Sequence, residues 1–85
     1  MENIIVTVTN LQQSYFYDLE VPVEITIGKL KADIVEALNG YNSELMLQAT
    51  STELFGNRLG RQIRSHETME SAGVWNGDYI TILEV

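Results

Sequence analysis

Any chemistry in this chain has to start from His66, the sole histidine in a sequence that contains no cysteine. His66 lies in the stretch "SHETME" beside Glu67 and Glu70, which is raw material for a metal site or an acid–base pair. One imidazole and two carboxylates within a loop more often form an exposed, solvated turn. Ser65 precedes His66, but adjacency in sequence does not produce the geometry of a nucleophile and its base. Gly56 and Gly60 lack the spacing of a phosphate-binding loop and the Lys-Ser/Thr pair that follows one. Without cysteine, disulfides, thiolate zinc sites and cysteine nucleophiles drop out. Catalysis, a metal and a cofactor are not expected, which leaves binding as the way this chain acts.

Eighty-five residues are enough for one modest core, so a single domain over residues 1–85 is expected. The apolar fraction of 45% is that of an ordinary globular protein. Five basic residues face twelve acidic ones, for a formal charge of −7. That balance disfavours nucleic acid and anionic lipid, whose affinity comes largely from neutralising negative charge with Lys and Arg. Arg58, Arg61 and Arg64 fall close together and read as the solvated face of a strand, with a local positive stripe as the alternative. No stretch approaches the roughly 20 apolar residues needed to span a bilayer. The start, "MENIIVTVT", has neither a basic leader nor a long apolar run, so a protein that is not membrane-inserted and stays in the cytoplasm is expected.

The elements that would present a binding surface follow from periodicity. "NIIVTVTN" alternates, with Ile4, Val6 and Val8 on one side, and "YFYDLEV" alternates again, with Tyr17, Leu19 and Val21 inward and Phe16 outward. The polar loop Asn10–Ser14 between them predicts an antiparallel hairpin, which Pro22 ends. Ile27, Leu30, Ile34 and Leu38 recur at helical spacing, with Thr26 expected as the N-cap and Asn39-Gly40 as the stop. Glu44–Thr50 is expected as a third strand, "STELFGN" as a turn and "RLGRQIR" as a return strand. A short turn anchored by Met69 and Ala72 precedes Val74, the Asn76-Gly77-Asp78 turn and a last strand with Ile80 and Ile82 inward. Parallel pairing of the first and last strands gives an α+β, β-grasp roll: a mixed sheet of four to five strands packed on one main helix.

At this point "DLEVPVEITIGKLKADI" resembles ubiquitin's second strand and helix, and "TMESAGVWNGDYITIL" resembles its closing segment. These are packing motifs, which speak to fold more than to function. Within that superfamily, "YDLEVPVEITIGKL" and "GVWNGDYITIL" are similar to the YukD (EsaB) family of bacterial type VII secretion systems. A chain of this length that starts on strand one and stops on the last strand fits the same family. The resemblance implies a cytoplasmic accessory protein that regulates or helps assemble the secretion machine by protein–protein contact, with secretion-machinery components as partners. A generic ubiquitin-like adaptor domain of another complex is the alternative.

Conjugation is not expected. Ubiquitin and its sulfur-carrier relatives are activated at a C-terminal Gly-Gly, whereas this sequence ends Thr81-Ile82-Leu83-Glu84-Val85 and has no Gly-Gly anywhere. In ubiquitin the outer sheet face carries an apolar recognition patch. By position the resemblance assigns Leu83 to its last-strand contributor, Leu11 to the hairpin loop and Met46 to strand three. Phe16 also points away from the expected core, and an exposed cluster of this kind would mark a partner surface. Trp75 reads as a partly buried lid over the sheet edge, with an interface anchor as the alternative. A weak homodimer through a sheet edge is a further partner the sequence allows.

Overall fold

A computed structural model describes residues 2–85. Strands β1 (Asn3–Asn10) and β2 (Phe16–Pro22) come first, followed by helix α1 (Ile27–Tyr41). A single 3-10 turn (Ala49–Ser51) leads into β3 (Thr52–Gly56), which is followed by β4 (Arg61–Ile63), a one-turn helix α2 (Met69–Ala72) and β5 (Tyr79–Glu84). The five strands form one sheet in the order β2-β1-β5-β3-β4. The central pair β1–β5 is parallel, with Thr7 opposite Tyr79 and Asn10 opposite Ile82, and every other pairing is antiparallel. This is the β-grasp arrangement that the alternating first and last strands predict.

Alternation sends Ile4, Val6 and Val8 of β1, Leu19 and Val21 of β2, and Ile80 and Ile82 of β5 to one face. Helix α1 lies over that face and buries Ile27, Leu30, Ile34, Val35 and Leu38 against it. Each such side chain is worth about 1.5–3 kcal/mol when removed from water. Leu54, Ile63 and Met69 complete the same apolar cluster from the second half of the chain.

Both ends of α1 depart from expectation. Thr26 is the N-cap residue in extended conformation, but its side chain accepts no capping hydrogen bond. The first amides go to a neighbouring loop instead: Ile27 N donates to the Glu67 carbonyl at 2.7 Å and Gly28 N to the Ser65 carbonyl at 3.0 Å. At the other end Asn39 and Gly40 remain helical, and the helix runs on to Tyr41. Asn39 is occupied otherwise, because its amide group donates to the Leu47 carbonyl and accepts from the Leu47 amide, both at 2.9 Å.

That clamp explains why Glu44–Thr50 is not a strand. Leu47 is buried, while Met46 sits in the left-handed region at φ 51 and projects into solvent. The third strand is Thr52–Gly56, within the stretch read as a turn, and its inward residues are Thr52, Leu54 and Gly56. Gly56 faces Leu59, whose Cδ1 would lie 3.1 Å from any added Cβ, so a side chain there would crowd the β3–β4 turn. The single helical turn α2 is where it is expected, capped by reciprocal bonds between Thr68 and Ser71 and anchored by buried Met69 and Ala72.

Candidate protein-binding surface

The face of the sheet opposite α1 is built by the alternate residues of the same strands. Register places Phe16, Thr9, Thr81 and Phe55 side by side across β2, β1, β5 and β3. Thr9 and Thr81 are buried on this face. Their hydroxyls are satisfied: Thr9 Oγ1 donates to the Tyr15 carbonyl and Thr81 Oγ1 to Asn57 Oδ1, each at 2.6 Å. The aromatic and aliphatic side chains around them stay accessible. Phe16 is half exposed and meets the Tyr79 ring edge-on at 6.3 Å between centroids. Leu11, Phe55 and Leu83 border a shallow depression whose remaining walls are Asn57 and Thr81.

Three expected residues, Leu11, Phe16 and Leu83, therefore share the outer face. Met46 does not join them. It belongs to the 42–48 connection, and the strand-three contribution comes from Phe55, two positions after the Glu53 that pairs with Leu83. Phe55 was hidden in the sequence because its strand buries a threonine and a glycine. The signal that reveals it is the alternation Thr52-Leu54-Gly56, with Phe55 between two inward positions.

Trp75 is also displaced from its expected setting. Instead of a partly buried lid it is 63% exposed, and the Arg58 guanidinium lies 3.6 Å over its ring. Asp78 holds that guanidinium: Arg58 Nε and Nη2 donate to the carboxylate at 2.9–3.1 Å, and Nη2 also donates to the Gly73 carbonyl. Asp78 further accepts from the Trp75 amide at 2.8 Å. Arg58 first, and then this amide, hold the Asp78 carboxyl below the usual carboxylate range. The result is an ordered cation–aromatic corner joining the β3–β4 turn to the approach to β5, with one Trp face open.

The "SHETME" loop does not assemble a polar site. His66 is exposed, and the Glu67 carboxylate is taken up by Arg61 at 2.8 and 2.9 Å and by the Arg64 amide at 2.8 Å. Among the described residues no group of three or more His, Cys, Asp or Glu side chains converges as a metal site would require. Arg58 and Arg61 are both in ion pairs, so the three arginines do not make a free positive stripe. No helix among the described residues is long and apolar enough to cross a membrane.

Comparison with known proteins places this architecture. The chain superposes on the ubiquitin of Caldiarchaeum subterraneum with a TM-score of 0.74 at 21% identity, covering 99% of this chain and 95% of that one. It superposes equally on the ubiquitin-like domain of an Arabidopsis thaliana protein, with a TM-score of 0.74 at 18% identity, covering 99% and 79% respectively. At these identities the likeness is one of fold. A comparison with curated protein sequences finds no match. The family profile described as "WXG100 protein secretion system (Wss), protein YukD" matches residues 4–82, from the first inward residue of β1 to the last inward residue of β5. With nearly the whole sheet and helix inside that match, the chain belongs to the YukD family of ubiquitin-like proteins associated with this secretion system.

Proposed function

We propose that this protein is a cytoplasmic accessory or regulatory component of a type VII secretion system, acting by non-covalent contact with other proteins of the machine and catalysing no reaction. The observation that carries the reading is the outer sheet face, where Leu11, Phe55 and Leu83 surround one depression beside the Phe16–Tyr79 pair. Aromatic-rich clusters with few charges are what the centre of a protein interface is made of. The buried threonines beneath give this face a rigid floor, so little ordering cost accompanies binding.

The reading is tested by titrating the protein with the purified cytoplasmic parts of a type VII secretion machine from the same organism. Leu83→Asp and, separately, Phe55→Ser are expected to weaken capture about tenfold or more while leaving the melting temperature nearly unchanged. Undiminished binding by both variants overturns the patch. If Leu83→Asp unfolds the protein, Leu83 belongs to the core and Phe55→Ser alone decides.

A further inference from the structure

A second surface lies along the free edge of β2, where the strand borders α1. β2 is an edge strand. On β1, the amides of Ile5 and Thr7 turn toward the β5 side, donating to Asn76 Oδ1 and to the Asp78 carbonyl. The even-numbered residues of β1 therefore face β2, which makes Ile4–Val21, Val6–Leu19 and Val8–Tyr17 the directly hydrogen-bonded pairs. By the same alternation the backbone N–H and C=O groups of Asp18 and Glu20 point outward, along an edge with nothing paired to it among the described residues.

Beside this edge runs a groove between β2 and α1. Its floor is formed by Leu19, Val21, Ile34 and Ala37, and Tyr41 closes one end. The Tyr41 ring stacks on Tyr17 at 5.2 Å with an 18° tilt, so the end wall is braced. An unpaired strand edge beside an apolar groove fixes the conformation of its occupant. An extended segment would continue the sheet and drop alternate side chains into the groove.

Charge then selects the occupant. Asp18 and Glu20 flank the edge, and Asp33 and Glu36 line the helix side. Among the described residues no Lys or Arg lines the groove, and Lys31 reaches across to Glu53 at 3.7 Å. A second copy of this chain would set carboxylates opposite carboxylates, which destabilises strand pairing. We propose that the β2 edge and the adjoining α1 groove bind an extended, basic segment of a partner protein by strand addition, with apolar residues alternating with Lys or Arg.

The probe is a short synthetic peptide alternating valine and lysine, titrated into isotope-labelled full-length protein and followed by amide chemical shifts. The expected result is saturable perturbation centred on Asp18, Glu20, Ala37 and Tyr41, weakened by added salt. Glu20→Lys combined with Asp33→Lys, both exposed, is expected to lower affinity for this peptide about tenfold and to create affinity for a valine–glutamate peptide. The same valine–lysine peptide with alternate backbone amides methylated is expected not to bind, because strand addition needs those donors. No perturbation, or perturbation centred on Leu11, Phe55 and Leu83, overturns the proposal. Concentration-dependent shifts at Asp18 and Glu20 without peptide would identify a second copy as the occupant and equally overturn it. Because the readout separates the β2 edge from the depression at Leu11, Phe55 and Leu83, either proposed surface can fail without the other.

Discussion

On one flank of the sheet, β1 and β2 stay in register from Asn3 opposite Pro22 to Thr9 opposite Phe16, whereas on the other β3 and β4 share only Leu54–Ile63, Phe55–Gln62 and Gly56–Arg61. The long ladder is held by its backbone and by α1, and its acidic side chains are left facing water or hydroxyl and amide partners, as in Thr7–Asp18 and Asn3–Glu20. The short ladder is stitched by side chains. Arg58–Asp78, Arg61–Glu67 and Lys31–Glu53 all lie on that side, and Asn39 clamps the connection leading into it. A protein with few cations has placed most of them where regular pairing is scarce. What looks like a uniformly acidic molecule is therefore two surfaces of different character, one closed by ion pairs and one left negative.

The largest break in this contrast is expected from Asn39→Ala. The substitution removes both bonds to Leu47 and leaves a partly buried amide and carbonyl unpaired, at a cost of about 1–3 kcal/mol in urea unfolding. Asp33→Ala, a carboxylate on the other flank that closes no loop, should change stability by no more than about 0.5 kcal/mol. If the two variants cost the same, the flanks do not differ as described.

Arg58→Ala comes next, because it removes a partly exposed ion pair and the cover over the Trp75 ring. Screening by solvent holds the loss to about 1 kcal/mol. Trp75 is the one tryptophan, so a red shift in its emission reports opening of the corner directly. Unshifted emission would mean that the guanidinium does not cover the ring in solution.

Glu67→Gln is expected to have the smallest effect of the three, a small loss that is present at neutral pH and fades in acid. The Arg61 guanidinium first, and then the Arg64 amide, hold the Glu67 carboxyl down at about 2, against an ordinary value of 4.5. A carboxyl whose folded value is depressed contributes stability that is fully present above 4.5 and is lost as pH falls toward about 2. Stability measured across that window should therefore fall less steeply in Glu67→Gln than in the parent. Parallel curves would show that the loop does not depend on this carboxylate.

The same contrast explains what was legible in the sequence. The long-ladder flank and α1 bury Val, Ile and Leu at regular period two or helical spacing, so strands, faces and helix could be assigned from residue types alone. Across the middle, the residues that look most strand-like, Leu45-Met46-Leu47, are organised by a contact with Asn39, and the true strand buries Thr52 and Gly56. The outward placement of Phe16 and Leu83 follows from the alternation of β2 and β5, and that of Leu11 from the hairpin turn after β1. Phe55 rather than Met46 supplies the strand-three side chain because β3 begins at Thr52, after the apolar run Leu45-Met46-Leu47. Trp75 could not be read because its partner, Arg58, comes from a different turn. Likewise Thr26 looked like a self-sufficient cap when the carbonyls that receive the helix amides belong to the loop at Ser65 and Glu67.

The parallel pairing of β1 with β5 has a consequence for how the molecule comes into being. Thr7 meets Tyr79 only after most of the chain lies between them, so the middle of the sheet is the last part to close. The β1–β2 hairpin and α1 draw on near neighbours and can form early. Val6 and Val8 then wait with one backbone edge of their strand open until Ile80 and Ile82 arrive. Such late, non-local closure slows folding and lengthens the time during which an apolar strand edge is open to other chains. Substitutions that weaken the β1–β5 contact should therefore slow folding as well as lower stability.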